Sequence, residues 1–180
     1  MTLVGNADSL VIASRLDDEL TPMGLALGNT SGALDMSYKG KYRPSNKHKY
    51  RGDHTNIIYR SLWERKFMLW CDGNANVLEW GSEEYVIPYR SPLDNRVHRY
   101  YPDFYVKAIT RDGRLAKSII EIKPYVQTKP PKRRRQKSRT FLSEVKTYNV
   151  NAAKWKAARS WCMDRGMTFL ILTENHLNIK

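Results

Sequence analysis

Asp103, Glu121 and Lys123 are the side chains in this sequence whose types and spacing could do chemistry. Asp103 follows Pro102 in the run "YYPDFYVKAI", and Glu121 and Lys123 bracket Ile122 in "KSIIEIKP", eighteen residues further on. Residues two apart on a strand share a face, so Glu121 and Lys123 point the same way. Asp103 reaches that face from the adjacent strand if the two runs form a hairpin. Taken singly, each could be an ordinary solvent-side residue of a half-buried strand. Taken together, two carboxylates and one ammonium among apolar neighbours are costly unless something cationic joins them. A divalent metal fits, and hard oxygen ligands with room for water and phosphate suit Mg²⁺. On a basic chain, such a site suggests phosphodiester chemistry.

The elements that must hold these groups are legible from pattern. Tyr101 to Ile109 reads as a strand, "TRDGR" as a turn around Asp112-Gly113, and Leu115 to Ile122 as the returning strand. Upstream, "SLWERKFMLWCDG" is densely apolar and predicts a largely buried helix ending at Gly73, followed by two short strand-like runs, "NVLEW" and "EEYVIPY". Downstream, a helix is expected around "NAAKWKAARSWCMDRG", with Ala152, Trp155, Ala158 and Cys162 near one face and Gly166 as its stop. "TFLILT", Thr168 to Thr173, has the composition of a central strand buried on both faces. The order is helix, strands, hairpin, helix, strand, with no internal repeat.

With 180 residues the chain suits one domain with a sizeable core. Its 31 Lys and Arg against 18 Asp and Glu give a net charge of +13, which points to a polyanionic partner such as DNA. Residues 1–36 hold Arg15 against five acidic residues, a net −4, so the remainder carries +17. That acidic, Gly- and Ser-rich opening reads as an extension outside a domain spanning 37–180. Residues 38–54 are basic, Tyr-bearing and punctuated by Gly40, Pro44 and Gly52, which predicts an irregular arm, either lying along DNA or simply solvated. Its candidate DNA contacts are Lys41, Arg43, Lys47, Lys49 and Arg51. Residues 129–139 hold seven basic residues in eleven and two prolines, a mobile loop offering Lys132, Arg133, Arg134, Arg135 and Lys137. Neither segment carries a base-reading pattern, so weak sequence preference is expected.

No apolar run approaches the roughly 20 residues that cross a bilayer, and the first 14 residues have neither the basic nor the apolar region of a secretory signal. Cys71 and Cys162 lack metal or redox spacing and read as reduced, buried, cytosolic thiols. His48, His54, His98 and His176 form no ligand set, and the five tryptophans are expected in the core rather than stacked on bases.

Pro102-Asp103 followed by Glu121-Ile122-Lys123 resembles the PD-(D/E)xK signature of restriction-endonuclease-like nucleases. "SLWERKF" is similar to the helix of TnsA-type transposase endonucleases whose Glu joins the active site, which would be Glu64. "GKYRPSN", "HKYRGD", "NIIYRSLWERKFM", "NRVHRYYPDFYVK", "IEIKP", "AKWKAA" and "GMTFLILTE" together resemble the head-completion nucleases of T4-like tailed bacteriophages, from about Lys39 to Glu174. This resemblance implies an α/β, restriction-endonuclease-like core: a mixed central sheet with a catalytic β-hairpin, flanked by helices in α-β-β-β-α-β order. It implies Mg²⁺, with Mn²⁺ as a substitute, held by Asp103, Glu121 and the backbone carbonyl of Ile122. Lys123 would sit beside the attacking water, Glu64 would assist, and cleavage would leave 3′-hydroxyl and 5′-phosphate ends. Ser61 to Glu64 is also a capping-box pattern, in which Glu64 satisfies a helix end instead. The implied role is DNA hydrolysis at the packaged head before tail joining, in the host cytoplasm or on the virion, with portal, neck or head-completion proteins as partners and no membrane. A non-catalytic DNA- or portal-binding virion protein, or a structure-selective resolvase, would share the fold.

Overall fold

A computed structural model describes residues 38–132 and 138–177; the acidic extension and Arg133, Arg134, Arg135 and Lys137 lie outside the described residues. The chain runs β1 (Gly40–Tyr42), β2 (Ile57–Tyr59), α1 (Leu62–Gly73), β3 (Val77–Ser82), β4 (Ile87–Arg90), β5 (Val97–Tyr100), β6 (Phe104–Ile109), β7 (Leu115–Ile122), α2 (Arg139–Met163) and β8 (Thr168–Leu172). The central sheet has the order β3-β6-β7-β8, antiparallel except for the parallel pair β7–β8. Its elements in sequence, α1-β3-β6-β7-α2-β8, give the expected α-β-β-β-α-β order, and the hairpins β1–β2 and β4–β5 are added to it.

The hairpin β6–β7 forms as its alternation and its Asp-Gly turn require: Phe104 pairs with Ile120 and Ile109 with Leu115, and Gly113 closes the turn at φ +79°. Period-two geometry then sends the two sets of side chains to different cores. Phe104, Val106, Ala108, Ile120 and Ile122 pack with Phe67, Met68 and Cys71 of α1. Tyr105 and Ile119 pack on the other side with Ala158 and Cys162 of α2 and with Ile87, Tyr89 and Tyr100 of the β4–β5 hairpin. Asp103, Glu121 and Lys123 continue the second register and so belong to the α2 side of the sheet.

Several expectations are corrected. Thr168–Leu172 is an edge strand bonded to β7 alone among the described residues, not a central one; its apolar run serves both cores, Leu170 and Leu172 on one side and Phe169 on the other. The strand expected from Tyr101 breaks, because Tyr101, Pro102 and Asp103 leave the ladder between β5 and β6. Of "EEYVIPY" only Ile87, Pro88 and Tyr89 are strand, as the first residues of β4. Leu69 is exposed, so α1 buries one stripe (Phe67, Met68, Cys71 and Asp72) rather than its whole surface. Helix α2 starts at Arg139 with Ser138 as its N-cap, well before the expected start, and none of residues 139–150 is buried. Its buried face is Asn151, Trp155, Ala158 and Cys162, and Gly166 ends it at φ +62°.

The basic segment 38–54 is largely irregular, as expected, but it is tied to the fold rather than a free arm. Its strand β1 pairs with β2, and the buried Asp72 at the end of α1 gathers it: the carboxylate accepts from the backbone N–H of Ser45 (2.7 Å) and Asn46 (2.9 Å) and from the Tyr42 hydroxyl (3.2 Å). A carboxylate accepting that many donors is well compensated for its burial. Cys71 and Cys162 are free and buried, and burial raises the pKa of both thiols. No described helix is long and apolar enough to cross a membrane.

Candidate active site

Asp103 sits in the turn that enters β6, and its Oδ2 accepts the Ile122 backbone N–H at 2.6 Å across the hairpin. That bond fixes the Asp103 carboxylate against the end of β7, next to Glu121. Glu121 is buried, and both of its oxygens are taken: Oε1 faces the Lys123 ammonium at 2.8 Å and Oε2 accepts from the Tyr100 hydroxyl at 2.6 Å. The three residues singled out by spacing are therefore brought together on one side of the hairpin end.

The electrostatics follow from two acids and one base at a half-dry site. Burial, and then the charge of Glu121, push the Asp103 carboxyl up to about 8, against the opposing pull of Lys123 and the Ile122 N–H. Burial works against the Lys123 ammonium, but Asp103 and Glu121 outweigh it and hold its pKa above the ordinary lysine value. Burial and Glu121 push the Tyr100 phenol far up, so it remains an O–H donor to the carboxylate. The site is short of positive charge, which is the condition a divalent cation relieves. Among the described residues no three His, Cys, Asp or Glu side chains are gathered as a full protein cage. One or two carboxylates are the usual protein share of a Mg²⁺ site, the rest being water and phosphate oxygens.

Tyr100 was not found from the sequence. It stands three residues before Asp103, but its role depends on β5 folding over the second core, which no local pattern shows.

Glu64 is in the capping position. Helix α1 starts at Leu62 with Ser61 as N-cap; the Ser61 hydroxyl accepts the Glu64 N–H and donates to Glu64 Oε1 (both 3.1 Å), and Glu64 Oε2 accepts the Arg60 N–H at 2.7 Å. It is also near enough to raise the Asp103 pKa. Cap and site neighbour are thus the same carboxylate.

The candidate DNA contacts divide. Lys41, Arg43, Lys47 and Lys132 are exposed. Lys49 instead donates to the carbonyls of Asp72 (3.1 Å) and Asn74 (2.9 Å), neutralising the C-terminal end of α1. Arg51 pairs with Glu79 at 3.0 Å and lies over the Tyr85 and Tyr105 rings. Both are engaged within the fold. Of the histidines, His98 bonds Asp94 at 2.8 Å and His176 bonds Thr173. Trp80 and Trp155 are buried, and Trp63, Trp70 and Trp161 are partly buried against the two cores.

Asp103, Glu121 and Lys123 thus lie together at the end of a hairpin, in a mixed sheet packed between two helices. The family described as TnsA-like endonuclease N terminal matches residues 74–174, from the end of α1 through β8, and the chain belongs to it. It is also 42% identical over 146 residues to the head completion nuclease of Enterobacteria phage T4, covering 79% of this chain and 95% of that protein.

Proposed function

We propose that the chain is a Mg²⁺-dependent DNA endonuclease acting in phage head completion, trimming or cutting DNA at the packaged head before tail joining. The observation that carries this is the convergence of Asp103, Glu121 and Lys123, with Asp103 raised to about 8 by burial and by its acidic neighbour. Likeness to a head completion nuclease supports the biological setting.

Asp103 and Glu121, with the Ile122 carbonyl, would hold the cation, and Mn²⁺ has the same hard-oxygen preference. When bound, the cation supplies Lewis acidity toward a phosphate oxygen and acidifies water. The chain's own groups set the geometry. The Ile122 N–H orients Asp103, and the Tyr100 hydroxyl orients Glu121. Lys123 would orient the nucleophile and offset the charge that builds on the phosphate oxygens, help that typically contributes a few kcal/mol. Glu64 assists from the helix end. The exposed Lys41, Arg43, Lys47 and Lys132, together with Arg133, Arg134, Arg135 and Lys137, supply phosphate contacts without base readout. Portal, neck or other head-completion proteins are the proposed protein partners, during assembly in the host cytoplasm or on the virion.

Plasmid nicking tests this. Wild type in Mg²⁺ should convert supercoiled to open-circular DNA, EDTA should stop it, and Asp103→Ala and Lys123→Ala should lack it. Indistinguishable behaviour of all three proteins would leave a non-catalytic DNA- or portal-binding protein.

A further inference from the structure

Arg60 and Glu83 form a two-pronged ion pair on the surface, with one prong at 2.9 Å from Nη2 to Oε2 and the other from Nη1 to Oε1. Both side chains reach solvent, at 56% and 37% exposure. The pair is tied into the candidate site from both ends. The Arg60 N–H donates to Glu64 Oε2 at 2.7 Å, and the Glu83 N–H donates to the Asp103 carbonyl at 3.1 Å, one step beyond the Ser82–Phe104 ladder pair. Glu83 is held at φ +57°, a left-handed conformation that a residue with a Cβ adopts at a cost. An exposed ion pair adds little stability in return. Neither the hairpin carboxylates nor the helix cap requires this arrangement.

We propose that Arg60 is a phosphate-binding group for the DNA backbone beside the cleavage site, and that Glu83 occupies its guanidinium in the free protein. The fork of five donors matches two oxygens of a phosphate as it matches two of a carboxylate, so Glu83 stands in for the ligand. Glu64 and Asp103 also act on Arg60 electrostatically, so it is a cation at the rim of an acidic site that must receive a polyanion. At 37% exposure the Glu83 carboxylate is not enclosed by the fold, which leaves it displaceable. The inference rests on the proposed DNA-cleaving role for its location and concerns binding alone.

Duplex binding to the full chain, measured by fluorescence anisotropy in EDTA over a range of salt, tests it. Arg60→Ala should raise the Kd about tenfold and make the log–log salt slope shallower by about 0.9, one phosphate contact. Glu83→Gln should leave the Kd unchanged or lower it, on the order of threefold, because the competing anion is gone. A purely structural brace predicts the same direction for both, since each breaks the pair. An unchanged Kd in Arg60→Ala, a weaker Glu83→Gln, or no duplex binding by wild type overturns the proposal. Arg60→Lys and Glu83→Gly, the latter suited to the left-handed backbone, repeat the comparison should either first variant fold poorly. Absence of plasmid nicking by wild type would defeat the endonuclease role while leaving opposite shifts at Arg60 and Glu83 intact.

Discussion

Replacing Asp103 by Asn should make the metal-free protein more stable, and increasingly so as pH rises. Burial and Glu121 raise the Asp103 carboxyl from 3.8 to about 8 in the fold. Between those values the unfolded chain has released its proton and the folded chain retains it, so stability falls as pH increases through that window. At about 1.4 kcal/mol per pH unit the upper bound at pH 7.5 is about 5 kcal/mol. Solvent reaches part of the side chain, so about half of that, roughly 2 kcal/mol, is expected. Asn keeps an oxygen for the Ile122 N–H and removes the charge beside Glu121, while Lys123 keeps its partner at 2.8 Å.

At roughly 3 °C per kcal/mol for a chain of this size, Asp103→Asn should melt about 6 °C above wild type at pH 7.5 in EDTA, and the gap should close near pH 4. Added Mg²⁺ should raise the wild-type midpoint and leave the variant's unchanged. A variant that melts at or below wild type at pH 7.5 would refute the reasoning, because Asp103 would then ionise in the fold at no cost.

Tyr100→Phe removes the hydroxyl that donates to Glu121 Oε2 and should cost about 2 kcal/mol by urea denaturation, with reduced nicking. Glu64→Gln retains oxygen and amide groups for the Ser61 and Arg60 contacts, so its urea midpoint should barely move while nicking drops at least tenfold; Ser61→Ala should instead lose about 1 kcal/mol of stability. Asp72→Ala leaves the Ser45 and Asn46 N–H groups without their carboxylate and should cost about 3 kcal/mol, with earlier proteolytic cutting in residues 38–56.

Local signals and non-local ones divide what the sequence disclosed. The β6–β7 hairpin was legible because alternation and an Asp-Gly turn are properties of neighbouring residues, and the spacing of Asp103, Glu121 and Lys123 followed from it. The α1 boundaries were legible from the Ser61 cap and the apolar density. The folded state of residues 38–54 was not, because it depends on Asp72, which binds residues 26 to 30 positions earlier. Tyr100 was hidden for the same reason: its partner Glu121 is 21 residues away and meets it only once two separate sheets pack. The edge position of β8 could not be read from its composition, since an edge strand covered on both faces looks like a central one. The capping bonds of Glu64 were legible from Ser61-x-x-Glu64, and its nearness to Asp103 was implied by family resemblance.

The central claim is that Asp103 and Glu121 seat a divalent cation. Crystals of the full chain grown or soaked in Mn²⁺ and measured at the manganese edge test it most directly. An anomalous peak within about 2.5 Å of a carboxylate oxygen from each residue is the predicted result. Well-ordered Asp103 and Glu121 side chains with no peak between them, and Lys123 still closed on Glu121, would contradict it.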